Sequence, residues 1–399
     1  MIEGARASRR LALFVAAVFA TESAFYSVVP PLVPELVRDA HLTTTEVGFL
    51  VAAYPAGILV AAIPSIALVG RRGVKFTAIA GLVVLVAATL AFGWGGNALL
   101  LDGARFVQGV GGAMAWAGAL AWLTSTTPAE RKGSVIGGAV GAALIGMVIG
   151  PAIGAAASEV GRGPVLTVMA LVLGLLALAG PAGAPASPRG LGSVQSLLNL
   201  LRSRRAAIGN GLLLVIGVVG GTMWSLMPLL VTQRHGGAGV IAAILAVSYL
   251  LAALLNVVIG RASDRIGRLA PTLAGLAAGT VLLPIVPLLQ PLLPFAIVCI
   301  GAQSVIAALW TPTAAMVSDG AEAGASGQAV GVAALNAAWA AGGAAGPVLA
   351  AWLAEANGFT LPFVLAGGLC AASAIVLMAT YGRRDQAQRV NDATASSRG

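Results

Sequence analysis

The chain is predicted to be an all-α polytopic membrane protein, with twelve transmembrane helices arranged as two six-helix bundles and both termini in the cytoplasm. Three observations carry that prediction. Of 399 residues, 58% are hydrophobic and only 9% are charged, against roughly 25% charged in an ordinary globular domain. A template of about 20 apolar residues, the length of helix that crosses a bilayer core, fits along the sequence twelve times. The Lys and Arg residues collect in alternate loops.

The expected spans are 11–34, 46–69, 75–95, 98–123, 134–158, 164–182, 207–231, 239–259, 270–290, 292–317, 327–352 and 360–381. The start, MIEGARASRR before an apolar run, resembles a signal peptide, with Val18 to Ala20 passing for a cleavage site. The apolar stretch continues to Pro34 and many spans follow, so it is read as the first membrane helix. The Pro-rich turn near 290 is the softest division. The longest polar interruption, 183–206, separates the spans six and six, giving an N-terminal bundle 1–182, a cytoplasmic linker and a C-terminal bundle 207–399. Within the linker, Leu191, Val194, Leu198 and Leu201 recur at helical spacing beside Arg202, Arg204 and Arg205, which predicts a short helix lying on the membrane surface.

With the N-terminus inside, 19 of the 23 Lys and Arg fall on the cytoplasmic side; only Arg38, Arg162 and Arg234 fall opposite, and Arg105 lies within a span. Cytoplasmic loops carry such an excess of bases. The formal charge of +9 therefore reports orientation in a bilayer and not a nucleic-acid partner. The loop 318–326 departs locally, with Asp319 and Glu322 and no base. Cys299 and Cys370 sit in separate apolar runs without metal or redox spacing, and no cofactor is expected. The only histidines, His41 and His235, lie in outer loops, and neither Lys75 nor Lys132 ends a phosphate-binding G-K-[ST] motif. An enzyme or an ATP-driven pump is thus not expected, and the proton gradient is left as the energy source.

The halves repeat. Gly70 of GRRGVK and Asp264 of DRIGRL are 194 residues apart, Gly150-Pro151 and Gly346-Pro347 are 196 apart, and Gln108 and Gln303 are 195 apart. A duplicated six-helix unit of this size implies two bundles facing a central cavity, with access alternating by rocking.

These residues resemble the major facilitator superfamily over essentially the whole chain. Gly260-Arg-Ala-Ser-Asp264-Arg265-Ile-Gly267-Arg268 looks like its loop signature G-x-x-x-D-R-x-G-R, and in the first-half copy Gly70 replaces the usual aspartate while Arg71, Gly73 and Lys75 remain. The resemblance implies a role in conformational gating for Asp264, Arg265 and Arg268, although Arg268 also reads as an orientation charge. Arg105-Phe-Val-Gln108-Gly109 is similar to the fourth-helix motif R-x-x-Q-G, associated with proton transfer in coupled members. Gly146-x-x-x-Gly150-Pro151-x-x-Gly154 is similar to the fifth-helix signature of the exporting branch, which implies likeness to the twelve-span drug:proton antiporters.

The residues also speak for themselves. A charged group at the bilayer centre costs at least ~2.5 kcal/mol on insertion scales, so an intramembrane acid faces a protein interior or a wet cavity. Of 14 acids, only Glu22 lies near the middle of a span; Asp102 sits near a mouth, with Arg105 one turn deeper. Two readings of Glu22 are open. It is a proton carrier, with Arg105 as its electrostatic partner, or it is a structural acid that pairs with Arg105 or with backbone donors.

Candidate cargo contacts near mid-depth are Tyr26, Tyr54, Gln108, Trp116, Trp224, Tyr249, Gln303, Asn336 and Trp339. Aromatic walls with few polar anchors suit an amphipathic organic molecule, while core packing, interfacial belts and interhelical hydrogen bonds are the alternatives. Gly146, Gly150 and Gly154 make a smooth helix face, and Pro151 removes a backbone hydrogen bond; Gly346 and Pro347 repeat the device. The functional expectation is proton-coupled efflux of a small amphipathic compound by a monomer in the inner (plasma) membrane of a bacterial cell. Uptake of a small metabolite is the alternative.

Overall fold

The computed structural model describes residues 2–128, 131–181, 203–323 and 328–396. Among these residues there is no strand, as lipid requires, since a helix satisfies its own backbone where no water can. The helices are α1 (Ile2–Ser27), α2 (Val29–Asp39), α3 (Thr44–Arg72), α4 (Val74–Trp94), α5 (Ala98–Thr126), α6 (Lys132–Val160) and α7 (Arg162–Leu178) in the first half. The second half has α8 (Arg204–Gln233), α9 (Ala238–Ile266), α10 (Leu269–Ile285), α11 (Leu292–Ala308), α12 (Trp310–Ala323), α13 (Gln328–Asn357) and α14 (Thr360–Ser396). They make the twelve expected spans, because α1 with α2 and α11 with α12 each cross as a broken pair. Eleven spans are long and apolar enough to cross a bilayer, and α7 is a shorter apolar helix.

Each break has a proline cause. Pro30 and Pro31 cannot donate to the carbonyls of Tyr26 and Ser27 four residues back, and the first span parts at Val28. Pro312 likewise leaves the Ala308 carbonyl free, and the tenth span parts at Leu309. By contrast α6 runs through Pro151 and α13 through Pro347 without interruption. Of the linker helix expected over 190–205, residues 190–202 lie outside the described residues, and Arg204 and Arg205 belong instead to the first turn of α8.

Antiparallel packing defines two ends. At the end carrying the termini, Lys75 reaches the Pro181 carbonyl at 2.8 Å and Arg204 the Thr380 carbonyl at 3.0 Å. At the far end, Arg162 donates to the Gly93 and Gly95 carbonyls, and Arg234 to those of Leu289 and Pro287. Two apolar cores form, one drawn from α1–α7 and one from α8–α14 with Val51 of α3. Large apolar residues such as Val60, Leu171, Leu250 and Ile375 stay exposed on the outside, a surface suited to lipid.

The backbone repeats as the sequence does. His41 and His235, 194 residues apart, both take positive φ (53° and 59°), as do Gly73 (92°) and Gly267 (86°), also 194 apart. The two glycines form the turn of the loop signature, where a side chain would be strained. Close helix approach repeats as well: a Cβ on Gly146 or Gly150 would strike the backbone of α1 and one on Gly154 that of Val28 at the break, and one on Gly342 or Gly346 the backbone of α8.

The halves meet along α3 against α13 and α6 against α9, and at the far end through α2 against α8 and α9. There Glu355 of α13 also accepts from the Thr45 backbone N–H of α3 at 2.7 Å. At the far end the halves are thus held together.

Helix contact at glycine predicts opposite signs for the same substitution. Gly146→Ala is expected to lower Tm, since its Cβ meets the Ala20 carbonyl and overpacking costs about 1–3 kcal/mol. Gly137→Ala, which meets nothing within 4 Å, is expected to raise Tm through helix propensity worth about 1 kcal/mol. Thermal unfolding of the purified variants in detergent checks both.

Candidate functional site

Glu22 of α1 is 6% exposed, and its carboxylate is met by donors from two other helices. Tyr54 Oη of α3 donates to Oε1, and Trp116 Nε1 of α5 donates to Oε2 at 2.6 Å. Ser23 Oγ stands 3.5 Å from Oε2. Phe19, almost one turn before Glu22, stacks on the Trp116 indole with centroids 3.7 Å apart and fixes its plane. Room for this assembly comes from Gly112: a Cβ there would lie 2.6 Å from Tyr54 Oη and 3.0 Å from Glu22 Oε1. Behind Glu22, the α6 glycines seat α1, with Gly146 against Ala20, Gly150 against Ala24 and Ser27, and Gly154 against Val28.

Arg105 does not pair directly with Glu22. Among the described residues the ion pairs are Arg38–Asp39, Arg268–Asp264 and Arg268–Asp319. The guanidinium is 2% exposed and donates to the Phe25 carbonyl at 3.2 Å, the Tyr26 carbonyl at 3.5 Å and Gln108 Oε1 at 2.8 Å. The Tyr26 carbonyl is the one that Pro30 leaves without an amide partner, so Arg105 caps the break in the first span. Its Cζ also lies 4.6 Å from the centroid of the Tyr54 ring, within cation–π range. Tyr54 thus stands between base and acid, with its ring toward Arg105 and its hydroxyl on Glu22.

The expected cargo contacts divide. Tyr26, half-buried, is the hub: Trp224 stacks on it at 4.3 Å, Tyr54 lies at 5.2 Å and Trp339 meets it edge-on at 5.6 Å. Tyr249 lies edge-on to Trp224 at 6.3 Å. Trp116, Asn336 and Trp339 are half-buried on the helices that face the space between the halves. Gln108 does not join them. It is 1% exposed and bridges Arg105 to Thr89 Oγ1 of α4, at 3.0 Å, and so serves helix packing. Gln303 is 5% exposed. Trp310, which sequence reasoning passed over, meets Trp339 edge-on at 6.3 Å; its spacing of 194 from Trp116 was the signal available. Thr89 and Phe19 were also passed over, and a lone threonine or phenylalanine in an apolar helix carries no such signal.

The loop signature is built as an ion-pair cluster. Arg268 donates to Asp264 Oδ1 at 2.6 Å and Ser263 Oγ at 3.1 Å, and its Nε lies 3.6 Å from Asp319 of α12. Hydrogen bonding to Asp264 holds the Arg268 guanidinium pKa above its ordinary value. Arg268 is therefore more than the orientation charge that its position allowed. Arg265 is exposed. Gly70, in the first-half copy, meets nothing within 4 Å, so what that copy lacks is the carboxylate and not the space for one.

The sequence profile described as Major Facilitator Superfamily matches residues 13–333 and 209–398. No curated protein matches the chain. Among solved structures, a bacterial homolog of the human lysosomal transporter Spinster, inward-facing and unoccupied, superposes with a TM-score of 0.78 at 15% identity, over 93% of this chain and 96% of that one. The inward-facing occupied form of such a homolog gives 0.70 at 16% identity, over 92% and 95%. With the profile covering nearly its whole length, the chain belongs to the major facilitator superfamily: it is a multi-pass membrane transporter and not an enzyme.

Proposed function

We propose that the protein exports a small amphipathic organic compound in exchange for protons, with Glu22 as the proton carrier. The observation that carries this reading is a carboxylate buried between two donors, Tyr54 and Trp116, with no ion-pair partner among the described residues. The ionised acid accepts from both. The protonated acid acquires an O–H of its own, and the two neighbours then differ: an indole N–H only donates, whereas a phenol can turn and accept. Tyr54 is the group able to follow both states. Because the Tyr54 ring lies on Arg105 and Arg105 caps the broken first span, a proton on Glu22 is felt at the helix break.

The antiport reading draws on the α6 signature, whose three glycines press on α1 around Glu22. The cargo class draws on the aromatic hub Tyr26, Trp224 and Trp339, a wall suited to flat apolar bodies. Residues 1–182 and 207–399 act as the two rocking bundles. Asp264, Arg265, Arg268, Gly346 and Pro347 serve the movement between states. The basic end bearing the termini faces the cytoplasm, in the inner membrane of a bacterial cell, and the monomer is the working unit.

Two measurements test the reading. Purified wild type is expected to release protons when a planar lipophilic cation, ethidium, is added, and Glu22→Gln is expected to release none. Continued release or uphill ethidium transport by the variant would remove Glu22 from the mechanism. Transport in inside-out against right-side-out vesicles separates export from uptake. The hydroxyl of Tyr54 is tested from both sides: Tyr54→Phe deletes it, and Gly112→Ala pushes it off Glu22. Both are expected to lower the protons released per ethidium bound by at least half, while a conserved ratio in both would show that Tyr54 is only packing.

A further inference from the structure

The second copy of the repeat keeps the polar groups of the first and loses their partners. Tyr54 and Gln108 recur 195 residues on as Tyr249 and Gln303. In the first copy both are engaged, Tyr54 with Glu22 and Gln108 with Arg105 and Thr89. At the same offset from Glu22 and Arg105 stand Gly217 and Ile300, and Gly217 is closed off by the α13 backbone at Trp339 and Gly343.

Tyr249 and Gln303 are each 5% exposed; among the described residues Tyr249 Oη and Gln303 Oε1 have no partner at close hydrogen-bonding geometry, and only looser approaches of the Gln303 amide and the Trp224 indole reach the phenol oxygen, leaving its O–H free to donate. Buried polar side chains are paired as a rule, so an O–H without an acceptor and, on the neighbouring side chain, a carbonyl without a donor mark a place for a third group. The place adjoins the aromatic hub, because Trp224 meets Tyr249 edge-on on one side and stacks on Tyr26 on the other.

We propose that Tyr249 and Gln303 form a hydrogen-bonding subsite for a neutral hydroxyl or N–H amide group of the cargo, an inference that rests on the reading of this space as the cargo site. The bound group must accept from the Tyr249 O–H and donate to the Gln303 carbonyl. A hydroxyl or a primary or secondary amide does both; an ether offers only an acceptor, and a quaternary ammonium offers neither. The cargo class is thus an aromatic body bearing a hydroxyl or amide on the edge that meets α9 and α11, with any cationic group directed to Glu22 across the chamber.

The test has a ligand-free arm and a binding arm. Tyr249→Phe and Gln303→Met are expected to leave the Tm of the cargo-free protein unchanged or raise it, because each removes an unpaired buried polar atom; a fall in both would mean that the pair serves the fold, and would overturn the subsite. Calorimetric titration of the protein in detergent, with empty micelles subtracted, compares 2-naphthol with 2-methoxynaphthalene. Wild type is expected to prefer 2-naphthol about tenfold, and the double variant to bind both alike. Equal binding by wild type, or an unchanged preference in the double variant, overturns the subsite and leaves the chamber reading standing. Failure of wild type to bind either compound overturns the chamber reading and the subsite with it.

Discussion

A carboxylate removed from water must find donors inside the protein, and much of the first half is organised around how Glu22 finds them. Tyr54 and Trp116 come from different helices, so both helices must approach α1 closely. They do so through residues with no side chain. Gly57 and Gly109 let α3 and α5 touch backbone to backbone, Gly112 leaves room for the tyrosine hydroxyl, and the α6 glycines hold α1 from behind. A burial that would otherwise cost several kcal/mol becomes tolerable because the packing supplies two donors.

Arg105 answers a second need created by the same helix. Prolines at 30 and 31 break the first span beside Glu22, and in a bilayer a freed carbonyl requires another partner. The guanidinium caps that break, holds Gln108 and carries the face of Tyr54. Acid and base are therefore joined through an aromatic ring and a helix break instead of an ion pair. In the proposed mechanism such a linkage lets a proton taken up at one atom bear on the geometry of a whole span, which an isolated Glu–Arg pair would not.

The spans were legible because lipid imposes one long apolar pattern per crossing; the observed helices begin and end within a few residues of the expected limits at most boundaries, as at Val74–Trp94 for 75–95. The repeat was legible because turn glycines and Gly-Pro pairs need particular backbone geometry. The depth of Glu22 was legible because an acid in mid-span is rare, and the structure buries it. What the sequence could not supply was which neighbours share a space. Gln108 reads like Gln303 along the chain, but only the first has an arginine and a threonine within reach. The pairing expected between Glu22 and Arg105 failed for a related reason, since one-dimensional spacing cannot show that a tyrosine ring stands between them. The two broken spans were read as single helices, although Pro30, Pro31 and Pro312 were in plain view.

The central claim is that Glu22 changes protonation state within its hydrogen bond to Tyr54. Infrared difference spectroscopy of the purified protein, recorded on acidification, observes that event directly. Over the contribution of the exposed acids, a C=O component of a buried protonated carboxyl is expected to grow in wild type, to shift to higher frequency in Tyr54→Phe as the hydrogen bond is lost, and to be missing from the Glu22→Gln spectrum. A band that persists unchanged in Glu22→Gln would contradict the claim, because the titrating carboxyl would then lie elsewhere.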